Sequence, residues 1–407
     1  MRKPVAQSNV VVVGAGPVGF VCALGLAQAG IRVTVLEAEP AIVDSPRASG
    51  YHWAVLPGLA RLGILEDAER IGLRCHGLRM MVPSMDEHMD LHLDSLEGIT
   101  PYPYMVTLGQ NKLAEIAKAH LQRLPGTEVI FNTRVTGIEQ DDKGVTVQTA
   151  SPEGPREFRA GWVIGADGGR STVRETLGLS MDGMTWPERF VATNIRFDFA
   201  RHGYWDANWR IDPQYGNIVM KLDETNLHRC TFSEDASLPE TGIVERIRAY
   251  FDAVLPGDKQ YELVQYSPYR MHQRTVSSMR VGRVVLAGDA AHITNPTGGM
   301  GLTSGLFDSY VLYEALAAVI QGEVGDEVLD RYSEERRRVF MEQASPQASA
   351  FKKLVYNCTD PDELARHVAG LRAMSKDKDL QRQVNLETLK LETPSLVPAR
   401  RARSERA

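Results

Sequence analysis

The chain has 407 residues, 43% of them hydrophobic, and a formal charge of −6 from 46 Lys and Arg against 52 Asp and Glu. That length holds two or three domains with a large core, and the acidic balance argues against a nucleic-acid partner. The cysteines, Cys22, Cys75, Cys230 and Cys358, are far apart with no C-x-x-C pair, which argues against a zinc site or disulfide framework and makes a reducing cytoplasm the expected compartment.

Val10 to Val13 is a continuous β-branched run and reads as a strand buried on both faces. Gly14-Ala15-Gly16-Pro17-Val18-Gly19 follows at once, and Phe20 to Ala29 continues as a helix. The G-x-G-x-x-G spacing has a mechanical basis: one glycine for the tight turn, one for close approach of a pyrophosphate, one for packing the helix on the strand. Glu37 closes the next apolar run, Val33-Thr34-Val35-Leu36, close to the distance expected of an acid that binds a ribose hydroxyl. An acid there disfavours a phosphorylated ribose, so FAD or NAD is expected rather than NADP. Val10 to Ala29 is almost wholly apolar and follows Arg2 and Lys3 as a signal peptide or membrane anchor would. Glycines and a proline within six residues break a spanning helix and no cleavage site follows, so neither secretion nor anchoring is expected.

Pro46-Arg47-Ala48-Ser49-Gly50 comes next, then an interruption from about 75 to 105 carrying Met80, Met81, Met85 and Met89 and closing on Pro101-Tyr102-Pro103-Tyr104. Asn111 to Leu124 reads as a helix opened by Gln110. Trp162 to Ala166 reads as an apolar strand ending in Asp167-Gly168-Gly169, which alone is an ordinary turn. From 181 to 275 long helical periodicity is lacking, and short β-like runs recur at Phe190 to Phe199, Ile218 to Leu222 and Arg229 to Phe232. Val284-Val285-Leu286-Ala287-Gly288-Asp289-Ala290-Ala291-His292 then runs into Asn295-Pro296-Thr297-Gly298-Gly299-Met300-Gly301-Leu302. This joins a buried strand, an acidic turn and a helix whose N-terminal amides and dipole favour an anion. Leu302 to Ile320 and Glu327 to Met341 read as helices, with the charge run Tyr332 to Arg337 as a solvated face. The residues after Ser345 read as helical at first, and Pro394 to Ala407, rich in arginine, as a disordered tail.

Together the glycine motif, the Asp167 turn and the Asp289 segment, in this order over roughly residues 8 to 345, resemble the FAD-dependent aromatic hydroxylases, the single-component flavoprotein monooxygenases related to p-hydroxybenzoate hydroxylase. The resemblance implies an α/β fold in which a Rossmann-like FAD-binding domain (8–74, 106–180 and 276–345) is interleaved with a β-sheet substrate domain (75–105 and 181–275). C-terminal helices and a tail occupy 346–407.

The resemblance also implies roles. Gly14, Gly16 and Gly19, with Pro17 and Val18, would cradle the FAD pyrophosphate, Glu37 with Ala38 would hold the adenosine ribose, and Arg47 would reach the phosphates. Gln110 would contact the ribityl chain and Val135 would line the same site; Asp167 and Gly168 would serve FAD and NAD(P)H handling. Gly288 and Asp289 would bind the ribityl hydroxyls, and the turn from Pro296 through Gly299, Met300, Gly301 and Leu302 would lie against the isoalloxazine. NADH or NADPH and O2 are the implied co-substrates, and a flavin C4a-hydroperoxide the implied hydroxylating species. The expected substrate is a small aromatic molecule, a phenol or a hydroxylated N-heteroaromatic ring, activated by loss of its hydroxyl proton.

Pro296, His272 and Tyr215 are the residues expected at the reacting centre, with Tyr204, His228 and Tyr266 as further relay candidates. His292 is expected to order its turn rather than transfer protons, and Arg210, Arg229 or Arg274 would pair with a substrate carboxylate. Lacking a second Rossmann module, the chain is expected to bind pyridine nucleotide transiently, with Gly298 and Gly299 permitting the flavin to swing out to meet it. A monomer or homodimer without membrane contact is expected. A same-fold reductase or epoxidase, and a non-catalytic flavin redox sensor, are the competing readings; the sensor predicts FAD without NAD(P)H oxidation.

Overall fold

The computed structural model describes residues 7–44, 46 and 48–398; Arg47 and the residues from 399 onward lie outside the described residues. The chain opens with β1 (Gln7–Val13), α1 (Pro17–Gln28) and β2 (Val33–Leu36), then β3 (Gly50–Tyr51), α2 (Leu56–Arg61), α3 (Leu65–Ile71) and β4 (Leu73–Cys75). The hairpin β5 (Gly77–Val82) and β6 (Glu87–His92) precedes β7 (Met105–Thr107), α4 (Gln110–Leu121), β8 (Thr127–Ile130), β9 (Arg134–Asp141), β10 (Gly144–Ala150) and β11 (Arg156–Gly165). After α5 (Thr172–Thr176) come β12 (Met181–Arg196), β13 (Ala207–Arg210), β14 (Asn217–Lys221), β15 (Leu227–Asp235), α6 (Ile243–Val254) and β16 (Glu262–Val276). The last strands are β17 (Arg280–Val281), β18 (Val284–Leu286) and β19 (His292–Ile293). Five helices follow: α7 (Met300–Ile320), α8 (Glu327–Val339), α9 (Ser345–Tyr356), α10 (Pro361–Lys376) and α11 (Lys378–Leu386).

The valines of β1 are fully buried because the strand is central, flanked by parallel partners β2 and β11 in the order β17-β18-β11-β1-β2-β8. The hairpin of β9 and β10 extends this sheet from β11. α1 is apolar all round for the same reason, being packed on the sheet side and against α7 and α4. Three strands in parallel, each ending in a turn at the same edge, bring Gly14, Ala166 and Ala287 together.

The second sheet has the order β19-β16-β12-β15-β14-β13-β5-β6 and is mostly antiparallel. Its period-2 alternation separates two faces. Val191, Ile195, Val219, Cys230 and Phe232 point outward into a cluster with Ile247 and Phe251 of α6. Phe190, Trp209 and Met80 belong to the inner face, which packs in part on α9 and α10. Pro187 cannot donate to a ladder, and the register of β12 against β16 shifts between Thr185 and Arg189 around it.

The C-terminal region departs from expectation in three ways. The helix that begins at Glu327 continues past Met341: a π turn spans Phe340–Ala344 and leads directly into α9. Pro346 has no amide to give the carbonyl four residues back and its ring crowds that carbonyl, so a widened turn lets the helix continue. The charge run is not all solvated, because Tyr332, Ser333 and Arg336 are buried. The tail is packed as far as it is described, with Leu396 and Val397 buried. No helix among the described residues is long and apolar enough to cross a membrane.

Candidate active site

Between the two sheets lies a continuous cavity of about 1510 Å³, larger than the roughly 300–1,000 Å³ that holds one drug-sized ligand. One end is the β1–α1 turn. Gly14 has φ +105°, and a side-chain carbon there would sit 2.4 Å from the Ala166 carbonyl oxygen. Gly19 faces the Gly14 carbonyl at 2.1 Å by the same measure, so it serves packing and not the cavity. Gly16 has ordinary φ (−78°), lines the cavity, and has nothing within 4 Å of where a methyl group would stand. Glu37 lies at the rim, its two carboxylate oxygens accepting the Ala15 N–H at 2.7 Å and the Glu39 N–H at 2.9 Å. Pro17, Val18, Ala38, Gln110 and Val135 complete this end.

Asp167 has a double position. It lines the cavity with Gly168, yet its carboxylate also accepts Ser171 Oγ at 2.5 Å and the Val173 N–H at 3.1 Å, fixing the start of α5. Burial raises its pKa, and those hydrogen bonds only partly offset the rise. Asp289 lines the cavity from the turn after β18, whereas Gly288 is buried behind the wall and donates its N–H to Asp308 at 2.9 Å. Asp308 Oδ2 also meets His292 Nε2 at 2.7 Å and Oδ1 meets Arg336 Nε at 2.7 Å. His292 does not line the cavity; its ring stacks on Phe340 at 4.3 Å, so it orders the turn.

The start of α7 lines the same cavity. Gly299 caps it with φ +72° and no side-chain bond, so Met300, Gly301 and Leu302 present the helix N-terminus to the cavity beside Pro296. His52 holds this turn from below through Nε2 and the Gly298 carbonyl at 2.8 Å, and burial lowers its pKa, with that bond opposing. The neutral imidazole therefore donates Nε2–H to the carbonyl.

Above the turn is the inner face of the second sheet. Arg229 is 6% exposed and lines the cavity; its Nε donates to Asn194 Oδ1 at 3.0 Å, and Asn194 donates to Gln265 at 3.3 Å. Burial pushes its pKa down to about 10 against the raising influence of Tyr269, Asp44 and Tyr51. Of the arginines offered by sequence, Arg210 and Arg274 do not line the cavity: Arg210 pairs with Asp212 and Arg274 with Thr185.

His272 lines the cavity, with Nδ1 bonded to Thr185 Oγ1 at 2.9 Å; burial first, then Arg274 and Arg270, lower its pKa. Tyr215 does not belong to the site, because it packs with Tyr250 in the α6 cluster. Tyr204, His228 and Tyr266 likewise lie off the cavity, His228 and Tyr266 being on the outward phase of their strands.

Sequence reasoning missed His52, Trp209 and Phe351. Trp209 and Phe351 meet edge to face at 5.1 Å, and the Phe351 ring would lie 2.5 Å from a side-chain carbon at Gly298. Strand alternation offered a signal for Trp209; none pointed to Phe351, which lies in a C-terminal helix.

The residues present fit FAD. Gly16 leaves open space where a diphosphate must approach, the first residues of α7, Met300 to Leu302, line the cavity at a helix start without a side-chain cap, and the buried Thr294 hydroxyl lines it with no partner among the described residues. Among the described residues no cluster could hold a metal ion.

Residues 7–345 match the FAD binding domain family. Para-nitrophenol 4-monooxygenase of Pseudomonas sp. (strain WBC-3) is 44% identical over 392 residues, 94% of this chain and 96% of the relative. 6-Hydroxy-3-succinoylpyridine 3-monooxygenase of Pseudomonas putida (strain DSM 28022 / S16) is 44% identical over 377 residues, 92% and 96% of the two chains. The crystal structure of p-nitrophenol 4-monooxygenase from Pseudomonas putida DLL-E4 superposes with a TM-score of 0.92 at 42% identity, covering 95% of this chain and 99% of that one.

Proposed function

We propose that this chain, which belongs to the FAD binding domain family and is a single-component FAD-dependent aromatic hydroxylase, hydroxylates a phenol or hydroxypyridine ring at the expense of NADH or NADPH and O2. FAD, when bound, would supply the redox chemistry that activates O2 for transfer to the ring. Gly14 to Val18, Glu37, Ala38 and Val135 would hold its adenosine and diphosphate half, Gln110 and Asp289 its ribityl chain, and Pro296 with Met300 to Leu302 its ring edge. The uncapped amides of α7 favour negative charge there.

The observation that carries the reading is Arg229, a buried cation on the inner face of the second sheet that lines the same cavity as that helix start. A cation within about 4–6 Å of an acidic hydroxyl lowers its pKa by roughly 1–3 units, so Arg229 favours the phenolate, whose ring is the more electron-rich. Trp209 and Phe351 exclude water from the ring's flanks. His272 and Pro296 border the site; His272, held by Thr185, orients polar substituents. We also propose the division into an FAD-binding part (8–74, 106–180, 276–345) and a substrate part (75–105, 181–275), with Gly298 and Gly299 giving the backbone freedom that would permit the flavin to reach a transiently bound nucleotide.

4-Nitrophenol tests this, because its anion is coloured. Bound to the FAD-loaded protein it is expected to ionise at lower pH than in water, and Arg229→Met should remove roughly 1–3 units of that shift. An unchanged titration in the variant would dismiss Arg229 from this role. Stimulation of NADH or NADPH oxidation by the phenol separates a hydroxylase from a flavin sensor, which would show none.

A further inference from the structure

The inner face of the second sheet is graded in polarity from strand to strand. On β12 and β15 its residues include the polar Asn194, Thr231 and Arg229 beside Phe190. One strand on, β14 sets Met220 opposite Arg229 and Ile218 opposite Thr231; β13 sets Trp209 opposite Ile218; β5 sets Met80 beside Trp209. Leu78 of β5 and Leu91 of β6, a register pair, finish this face. Arg79 and Asp90, the charged pair of the same hairpin, alternate to the other face and bind each other at 2.7 Å. From β15 to β5 is three strand spacings, roughly 14 Å at about 4.8 Å each.

Beyond β6 the wall passes to the C-terminal helices. Leu371 and Met374 of α10 and Val384 of α11 line the same cavity, and Val384 is 43% exposed, so the cavity reaches solvent there. The helices are pinned at this mouth: Arg382 Nε donates to the Ser95 carbonyl at 2.8 Å, Asn385 Nδ2 to the His92 carbonyl at 3.2 Å, and Trp53 Nε1 to the Asn385 carbonyl at 3.3 Å. Among the described cavity-lining residues of β5, β6, β13, α10 and α11 there is no lysine or arginine.

The geometry points to a substrate with two unlike ends: a ring whose hydroxyl faces Arg229, and an uncharged apolar substituent, alkyl or aryl, lying under β13, β5 and β6 toward the mouth between α10 and α11. This rests on the reading of the site as that of a ring hydroxylase. A carboxylate on the substituent would exchange its hydration for leucine and methionine with no cation opposite.

The test is a binding series. 4-Alkylphenols from methyl to heptyl, and 3-(4-hydroxyphenyl)propionate as an anion of intermediate length, are titrated into FAD-loaded protein without reductant, with flavin absorbance as the readout. Affinity is expected to rise up to about fourfold for each methylene that enters the apolar wall, and the propionate to bind at least about tenfold more weakly than 4-propylphenol. Val384→Glu, at the exposed mouth, should lower the ratio of heptylphenol to methylphenol affinity about tenfold. Met374→Glu, half-buried on α10, should do the same. Affinity independent of chain length, or tighter binding of the propionate, overturns the inference while leaving the hydroxylation of short phenols standing. Chain-length dependence without hydroxylated product from any phenol keeps the apolar subsite and removes the reaction.

Discussion

Gly16 and Gly14 differ in what an added methyl group would meet, and that difference separates binding from folding. At Gly16 the methyl enters open cavity with unstrained φ, so Gly16→Ala should fold normally and lose FAD affinity by about 1–3 kcal/mol, roughly five- to 150-fold. At Gly14 it strikes the Ala166 carbonyl at φ +105°, so Gly14→Ala should lower the melting temperature of the apoprotein itself. Melting of both apoproteins and fluorescence titration with FAD check the pair; a Gly16 variant that binds FAD like the parent would refute the cradle. Both glycine roles were legible in the spacing, because the motif is local. The choice among Arg210, Arg229 and Arg274 was not, because which face an arginine takes depends on strand phase and on the irregularity around Pro187. His52 was illegible for a related reason: its partner, Gly298, is 246 residues away.

Among elements, α7 is the one on which the site turns, and Asp308 anchors it. This carboxylate joins the Gly288 amide, His292 and Arg336, whose guanidinium continues to the Leu391 carbonyl at 2.7 Å and Thr393 Oγ1 at 3.0 Å. Burial alone would raise the Asp308 pKa, but His292 and Arg336 outweigh it and hold it at about 2, below the ordinary 3.8. Because the folded value is the lower one, this stabilisation is complete above the unfolded pKa and is lost as pH falls toward 2. Asp308→Asn would leave Arg336 buried without its anion, at a cost of about 3–5 kcal/mol. Chemical denaturation at pH 7 should show that loss, and the gap between parent and variant should narrow below pH 4; equal stability at pH 7 would show the pair to be idle. The strand, turn and helix of this segment were legible, since each has its own apolar or glycine signal. Arg336 was not, because its neighbours Glu334, Glu335 and Arg337 make the run look uniformly solvated, and only tertiary packing distinguishes the buried turn.

In the whole molecule the chain threads two eight-stranded sheets alternately, with β3, β7 and β4 forming a smaller third, and the cavity is lined by all of them. The parallel sheet and its three glycine or acid turns could be read from sequence because each motif sits at a strand end. The roof could be read only as a region of short strands: its order, which sets Arg229 across from Met220 and Trp209 beside Met80, arises from pairings between distant segments. The C-terminal helices were legible as helices, and their place in the cavity wall was not, because nothing local distinguishes Phe351 or Leu371 from ordinary core residues. In this shared cavity one oxygen atom of O2 is proposed to pass to a phenolic or hydroxypyridine ring. Turnover under 18O2 with FAD, NADH or NADPH and a phenol and hydroxypyridine panel, followed by mass spectrometry, reads out that transfer. One 18O atom in a ring-hydroxylated product is the expected result; nucleotide oxidation that yields only peroxide across the panel, or product oxygen drawn from water, would contradict it.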